Sequence, residues 1–200
     1  MIVAVEGPSA AGKSTWVRRV APHHEVPEQQ GSCPPADDVN GITAFWTSVS
    51  ARRWSAALET EAATGIAVCD TDPLKLHYEF CLVRIGQGSL DTLRAGVIAC
   101  RAAIRGGELG LVDLVICNVP DERTLIQHRN RDARRLRRNF DIHGRLGPAL
   151  VEWYAALEQL DRGRVRWGFP DDLPDAPRRD RYDTDLFDAW MTKLGIAYCP

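Results

Sequence analysis

Residues 2–6 are an apolar run dominated by β-branched side chains and ending at Gly7-Pro8, a pattern that predicts a buried strand. Trp16, Val17 and Val20 then recur at helical spacing over residues 13–20, so the chain opens as strand, loop and helix. A short extended piece is expected over residues 24–28, followed by a surface loop over 31–41 that is rich in Pro, Asp and Ser. Phe45, Trp46, Val49, Ala56 and Ala57 share one helical face over residues 42–63, predicting an amphipathic helix closed by Gly65. Residues 66–69 read as the next buried strand, and Asp70-Thr71-Asp72-Pro73 sets two carboxylates at its C-terminal edge. Helical pattern resumes over 74–85, and again from Ser89, an N-cap, through Leu90, Leu93, Val97 and Ile104 to the Gly106-Gly107 stop.

Residues 109–117 predict a third strong strand, and Pro120-Asp121 begins a helix carrying Leu125 and Ile126. Beyond an arginine-dense stretch, Leu146, Leu150, Trp153, Tyr154, Leu157 and Leu160 stripe one face of a long helix. Residues 165–167 read as a last strand, 168–182 as a loop full of Pro, Asp and Arg, and 184–194 as a final helix. Strands alternating with helices imply an α/β fold: a doubly wound parallel sheet of about five strands with helices on both faces, since parallel strands need crossovers that helices supply. No repeat, linker or change of composition divides the chain, so one domain over residues 1–200 is expected.

Composition narrows the classes. With 44% hydrophobic and 26% charged residues, the chain has the balance of a soluble globular protein. Its net charge of −2 leaves no overall positive field for nucleic acid, so any basic site must be local. Only Lys13, Lys75 and Lys193 among the 25 basic residues are lysines. The six cysteines form no C-x-x-C pair, and Cys69 and Cys117 sit in apolar runs, which suits reduced thiols in a cytoplasmic protein better than disulfides or zinc. The longest apolar stretch, near residues 109–119, is broken by Asp113 and is too short to span a bilayer of about 20 apolar residues. The opening residues lack the charged n-region of a leader, so neither a membrane nor a secretory route is expected.

Gly7-Pro8-Ser9-Ala10-Ala11-Gly12-Lys13-Ser14-Thr15 fits G-x-x-x-x-G-K-[ST] and lies between a predicted strand and a predicted helix, as that motif requires. Gly7 and Gly12 let the backbone curl so that successive N–H groups of Ser9, Ala10, Ala11 and their neighbours can face phosphate oxygens, and the helix near Lys13 adds its positive end. Lys13 supplies a point charge for the β- and γ-phosphates of ATP, and Ser14 offers a hydroxyl to Mg²⁺. The loop by itself chooses among no kinase, GTPase, motor or ATPase.

Ligands of open parallel sheets sit beyond the carboxyl ends of the strands, where Glu28, Asp70 and Asp72 fall. Phosphorylating an alcohol needs a proton acceptor and a carboxylate near the metal, which assigns Asp70 to Mg²⁺ and Glu28 to the proton, with Asp72 able to replace either. Asp72 could instead cap the next helix, and Glu28 could be a solvated loop acid. The loop over residues 31–41, with Trp46, Arg52 and Arg53 on the following helix, is expected to contact the acceptor, with Arg53, Glu28 and Asp72 as its binding residues, while Phe45 and Trp46 fit the core better than a stacking platform. Arg129, Arg131, Arg134, Arg135, Arg137 and Arg138 crowd one segment, and like charges so packed repel unless an anion neutralises them. A lid over about residues 129–140, with Arg131 and Arg135 reaching phosphate, answers that demand; a solvated basic face or an RNA contact would also do so.

In this order the segments resemble the nucleoside and nucleotide kinase branch of the P-loop proteins. The N-terminal phosphate loop, Val26-Pro27-Glu28, Val68-Cys69-Asp70-Thr71-Asp72 and residues 114–120 before the arginine segment are similar to thymidylate and deoxynucleoside kinases, and the Pro-Glu and Asp-Thr-Asp pieces also to ribosylnicotinamide kinases. That resemblance implies a three-layer P-loop NTPase fold, ATP with Mg²⁺, Glu28 as base, Asp70 as the acid ending the third strand, and often a homodimer. Asp70-Thr71 stands where deoxynucleoside kinases carry an acid followed by Arg, and the thymidylate kinases' substrate loop has no match. The leading expectation is therefore an ATP-dependent phosphotransferase acting on a small hydroxylated or phosphorylated acceptor. The alternatives are a regulatory ATPase or switch with a protein partner, and an RNA-end kinase.

Overall fold

The computed structural model describes residues 1–28, 38–131 and 140–198. Five parallel strands form one sheet in the order β2-β3-β1-β4-β5, where β1 is Ile2–Glu6, β2 Glu25–Val26, β3 Ala67–Asp70, β4 Leu114–Cys117 and β5 Val165–Trp167. The helices are α1 Lys13–Val20, α2 Val39–Thr64, α3 Leu76–Arg84, α4 Leu90–Arg105, α5 Glu122–Arg131, α6 Phe140–His143, α7 Gly147–Leu160 and α8 Thr184–Lys193.

The central strand explains the layering. Alternate side chains of β1 point to opposite faces. Val3 and Val5 join Trp16, Val17, Val68, Leu114 and Ile116 beneath α1 and the 169–176 segment. Ile2 and Ala4 join the larger core with Trp54 of α2, Phe80 of α3, Val97 of α4, Trp153 of α7 and Trp190 of α8. Both faces of β1 are thus sealed, and every residue of the strand is buried. In register, Val5 pairs with Asp70 and Glu6 with Cys117, so β1, β3 and β4 deliver their ends to one rim of the sheet.

Three expected elements shift. The apolar run over 109–117 is a strand only at Leu114–Cys117. Its first part is buried for another reason: Leu111 N–H donates to the Arg181 carbonyl at 2.8 Å, and a Cβ on Gly110 would stand 2.2 Å from the Trp54 ring. The second helix starts earlier, at Val39, where the Asp38 carboxylate accepts from Gly41 N–H at 2.8 Å. The third starts later, at Leu76, because the chain first turns through Lys75 in the left-handed region at φ 53°. Residues 168–183 carry no helix or strand yet are pinned down, with Trp16 Nε1 donating to the Pro170 carbonyl at 2.7 Å and its ring stacked on Phe169.

Cys69, Cys81, Cys100 and Cys117 are free and buried, and burial pushes the Cys69 and Cys100 thiols up to about 12. Cys33 and Cys199 lie outside the described residues. No described helix is long and apolar enough to cross a membrane.

Candidate active site

The loop between β1 and α1 is built from positions that only unusual backbone can occupy. Gly7 has φ 154°, and a Cβ there would lie 2.3 Å from the Asn118 carbonyl oxygen, so the loop passes too close to the end of β4 for any side chain. Ala10 and Gly12 stand in the left-handed region at φ 70° and 94°. Several of the loop's carbonyls are engaged: Gly7 accepts from Lys13 Nζ at 2.7 Å, Ala10 from His128 Nδ1 at 2.9 Å, and Ala11 from Asn118 Nδ2 at 3.3 Å. Gly12 caps α1 without a side-chain hydrogen bond, so the first-turn amides keep the donor character that binds anions.

The carboxylates divide into two kinds. Asp70, at the end of β3, accepts a 2.6 Å hydrogen bond from Ser14 Oγ on the first turn of α1. A hydroxyl and a carboxylate so joined are hard oxygen donors of the kind Mg²⁺ takes, one or two from protein with the remainder from water and phosphate. Glu28, just beyond β2, holds Lys75 Nζ at 2.7 Å. Burial pushes the Glu28 carboxyl up, but Lys75, joined by Lys13 and Arg53, pulls it down further, so the group lies below its ordinary range and is ionised. Lys75 also lies 5.0 Å over the Trp46 ring.

Asp72 and Arg53, expected at the acceptor, occupy supporting positions. Asp72 is buried, accepting from Leu74 N–H at 3.0 Å and the Tyr154 hydroxyl at 3.2 Å, so it braces the turn after β3; the helix that follows starts at Leu76 behind Lys75 with no side-chain cap, and Asp72 is not its cap. Burial raises its pKa. Arg53 is 1% exposed and donates to the carbonyls of Asp70 at 2.9 Å, Thr71 at 2.8 Å, Asp72 at 3.4 Å and Pro27 at 3.4 Å. Its guanidinium therefore fastens the ends of β2 and β3 and does not line the cavity.

Glu6 is a central residue that pattern reading passes over. It is 1% exposed, and its carboxylate accepts from Asp72 N–H at 2.6 Å and Gly7 N–H at 3.2 Å, tying the phosphate loop to the turn after β3. Burial raises its pKa against the pull of Lys13. Its signal was available: a glutamate closing an apolar strand directly before the loop is of a residue type almost never fully buried without a partner. Lys75, His77, Tyr78 and His143 were passed over too, and neither periodicity nor spacing marks them.

The phosphate loop, Glu6, Glu28, Asp70, Lys75, His77, Tyr78 and His143 line one cavity of about 990 Å³. Its first half is the loop from Gly7 to Thr15 with Glu6, Asp70 and Glu28; its second is walled by Thr43, Trp46 and Ser50 of α2, Leu76 and His77 of α3, Cys100 of α4, and Leu146 and Leu150. The Tyr78 hydroxyl hydrogen-bonds His143 Nε2 at 3.0 Å across this wall, and burial lowers the His143 pKa. Of the expected lid, Arg129 stacks 4.6 Å over Phe140, and Arg131 ends α5 exposed, away from the cavity lining. Arg134, Arg135, Arg137 and Arg138 lie outside the described residues.

Among solved structures the chain is similar to deoxyadenosine kinase from M. mycoides. With the products dCMP and a flexible dCDP bound, that enzyme matches with a TM-score of 0.54 and 14% identity over 98% of this chain and 99% of that one. With bound dATP it matches with a TM-score of 0.54 and 13% identity over the same shares. The fold is that of a P-loop kinase. No protein-family model and no curated protein matches the sequence. At such identity the likeness shows the fold alone.

Proposed function

We propose that the protein is an ATP-dependent phosphotransferase that moves the γ-phosphate of ATP to a hydroxyl of a small, nucleoside-like acceptor. The observation that carries this reading is the continuity of the cavity: the phosphate loop opens into a helix-walled chamber large enough for a second small molecule, with ionised Glu28 among the residues that line it. A pure hydrolase or switch has no use for that chamber.

In this reading the loop amides and Lys13 hold the triphosphate. The acceptor hydroxyl gives its proton to the Glu28 carboxylate while its oxygen bonds to the γ-phosphorus and the β,γ-bridging bond breaks, releasing ADP. Mg²⁺, when bound by Ser14 and Asp70, would offset phosphate charge. Glu6 and Arg53 hold the loop, β2 and β3 in place, and of the two expected lid arginines Arg135 is proposed to act at the phosphates. Apolar Leu76, Leu146, Leu150 and the Cys100 thiol suit the flat face of a base.

The test is ADP release from ATP and Mg²⁺ across a panel of nucleosides, nucleotides and other hydroxylated natural products. Acceptor-dependent ADP with a phosphorylated product is expected. Slow hydrolysis indifferent to every acceptor would replace this reading with a regulatory ATPase.

A further inference from the structure

Two buried side-chain polar atoms in this cavity have no partner among the described residues: Thr43 Oγ1 on α2 and His77 Nδ1 on α3. His77 is the more informative because its ring is buried with its other nitrogen beside Glu6. His77 is 7% exposed, and its Nε2 lies 3.2 Å from Glu6 Oε1. Glu6 already accepts backbone N–H groups from Asp72 and Gly7 on its two oxygens, so it faces its surroundings as an acceptor. An imidazole that turns its hydrogen toward Glu6 through Nε2 keeps the lone pair on Nδ1. Burial holds the ring neutral by lowering its pKa to about 4. A buried acceptor without a donor is destabilising until something supplies one.

The charge around it restricts what can arrive. Glu6, Glu28, Asp70 and Glu79 line the same cavity, and among the described residues Lys75 is the cation lining its helix-walled half, already bound to Glu28. A phosphorylated acceptor would bring two further negative charges to that wall.

Resting on the phosphotransferase reading above, we infer that the acceptor is an uncharged molecule that donates an N–H or O–H hydrogen bond to His77 Nδ1, and that its already phosphorylated counterpart is rejected. His77 is then a specificity-determining residue. Sites built to pair a ligand's polar hydrogen discriminate strongly against ligands that lack it, by up to about 10⁴–10⁵.

Two substitutions separate the halves of the ring. His77→Gln keeps a donor near the Nε2 position for Glu6 and removes the acceptor at Nδ1, whereas His77→Asn keeps an acceptor near Nδ1 and gives up the Glu6 contact. The experiment measures KM and kcat for ATP and for matched pairs of each nucleoside and its 5′-monophosphate, with wild type and both variants, after thermal unfolding has verified that each variant is folded. Wild type is expected to use a nucleoside with kcat/KM at least tenfold above its monophosphate. His77→Gln should raise that nucleoside's KM about tenfold or more with the ATP KM within twofold, and His77→Asn should recover part of the loss. Equal or better use of the monophosphate, or an unchanged acceptor KM in a folded His77→Gln, overturns the inference and leaves the phosphotransferase reading standing. ADP formation with no acceptor in the panel instead removes that reading, and this inference with it.

Discussion

Ser14 Oγ donates a 2.6 Å hydrogen bond to Asp70 Oδ2, joining the first turn of α1 to the end of β3. The contact exists because β1 and β3 are parallel neighbours in register, so the loop leaving one comes down beside the last residue of the other. It sets the loop's hydroxyl and the strand's carboxylate at the mouth of a single cavity.

Asp70→Asn preserves an acceptor for Ser14 and removes the charge. In the proposed mechanism kcat at saturating ATP falls about 10²-fold or more, and a higher Mg²⁺ concentration is needed for half-maximal rate. Titrating Mg²⁺ at fixed ATP checks this; an unchanged Mg²⁺ requirement would take the metal away from Asp70.

The Glu28 to Lys75 ion pair makes a pH prediction. A general base works only when ionised, so activity is lost as pH falls through its pKa, and Lys75 holds that pKa below the usual carboxylate range against burial. Lys75→Met leaves burial unopposed by that ammonium, so the acid limb of the kcat/KM profile moves to higher pH. An unmoved limb would separate the pair from the reaction.

Arg53 should matter for stability more than for acceptor recognition. Its guanidinium donates to the carbonyls of Asp70, Thr71, Asp72 and Pro27, and Arg53→Met leaves these buried acceptors without it. A loss of roughly 2–4 kcal/mol is expected in denaturant unfolding, within the range for breaking a buried charge-assisted network. A stable variant with only the acceptor KM raised would return Arg53 to the binding role expected from the sequence.

Away from the site, Arg181 grips both oxygens of Glu61 at 2.7 Å, and this pairing lowers the Glu61 pKa to about 2. A depressed carboxyl stabilises the fold above its unfolded pKa, and the contribution disappears as pH drops through the folded value. Glu61→Gln should therefore lower Tm near pH 7, with the difference from wild type closing between about pH 4.5 and 2. A constant difference across that window would show that the carboxyl's charge contributes nothing.

The sheet was legible in the sequence because parallel strands buried on both faces carry unbroken apolar runs, and Ile2–Glu6, Ala67–Asp70 and Leu114–Cys117 are such runs. Residues 109–112 misled for the same reason: apolar character reports burial, and these residues are buried, with Gly110 against Trp54 and Leu111 bonded to the Arg181 carbonyl, outside the strand that begins at Leu114. The phosphate loop was legible because left-handed backbone and close approach demand particular residues at fixed spacing. Of the acceptor half only Trp46 was named, since His77 and Leu150 reach it solely through tertiary packing of α3 and α7 against α2. Arg53 was read as a ligand contact because a sequence does not show that four carbonyls will surround it.

The most direct test measures ADP release with and without an acceptor that the panel identifies, for wild type and Glu28→Gln. Release by wild type should depend on the acceptor, and the variant's kcat should be lower by roughly 10²–10⁴, the usual contribution of a positioned base, with its ATP KM retained. A variant that turns over at close to the wild-type kcat would contradict proton transfer to Glu28.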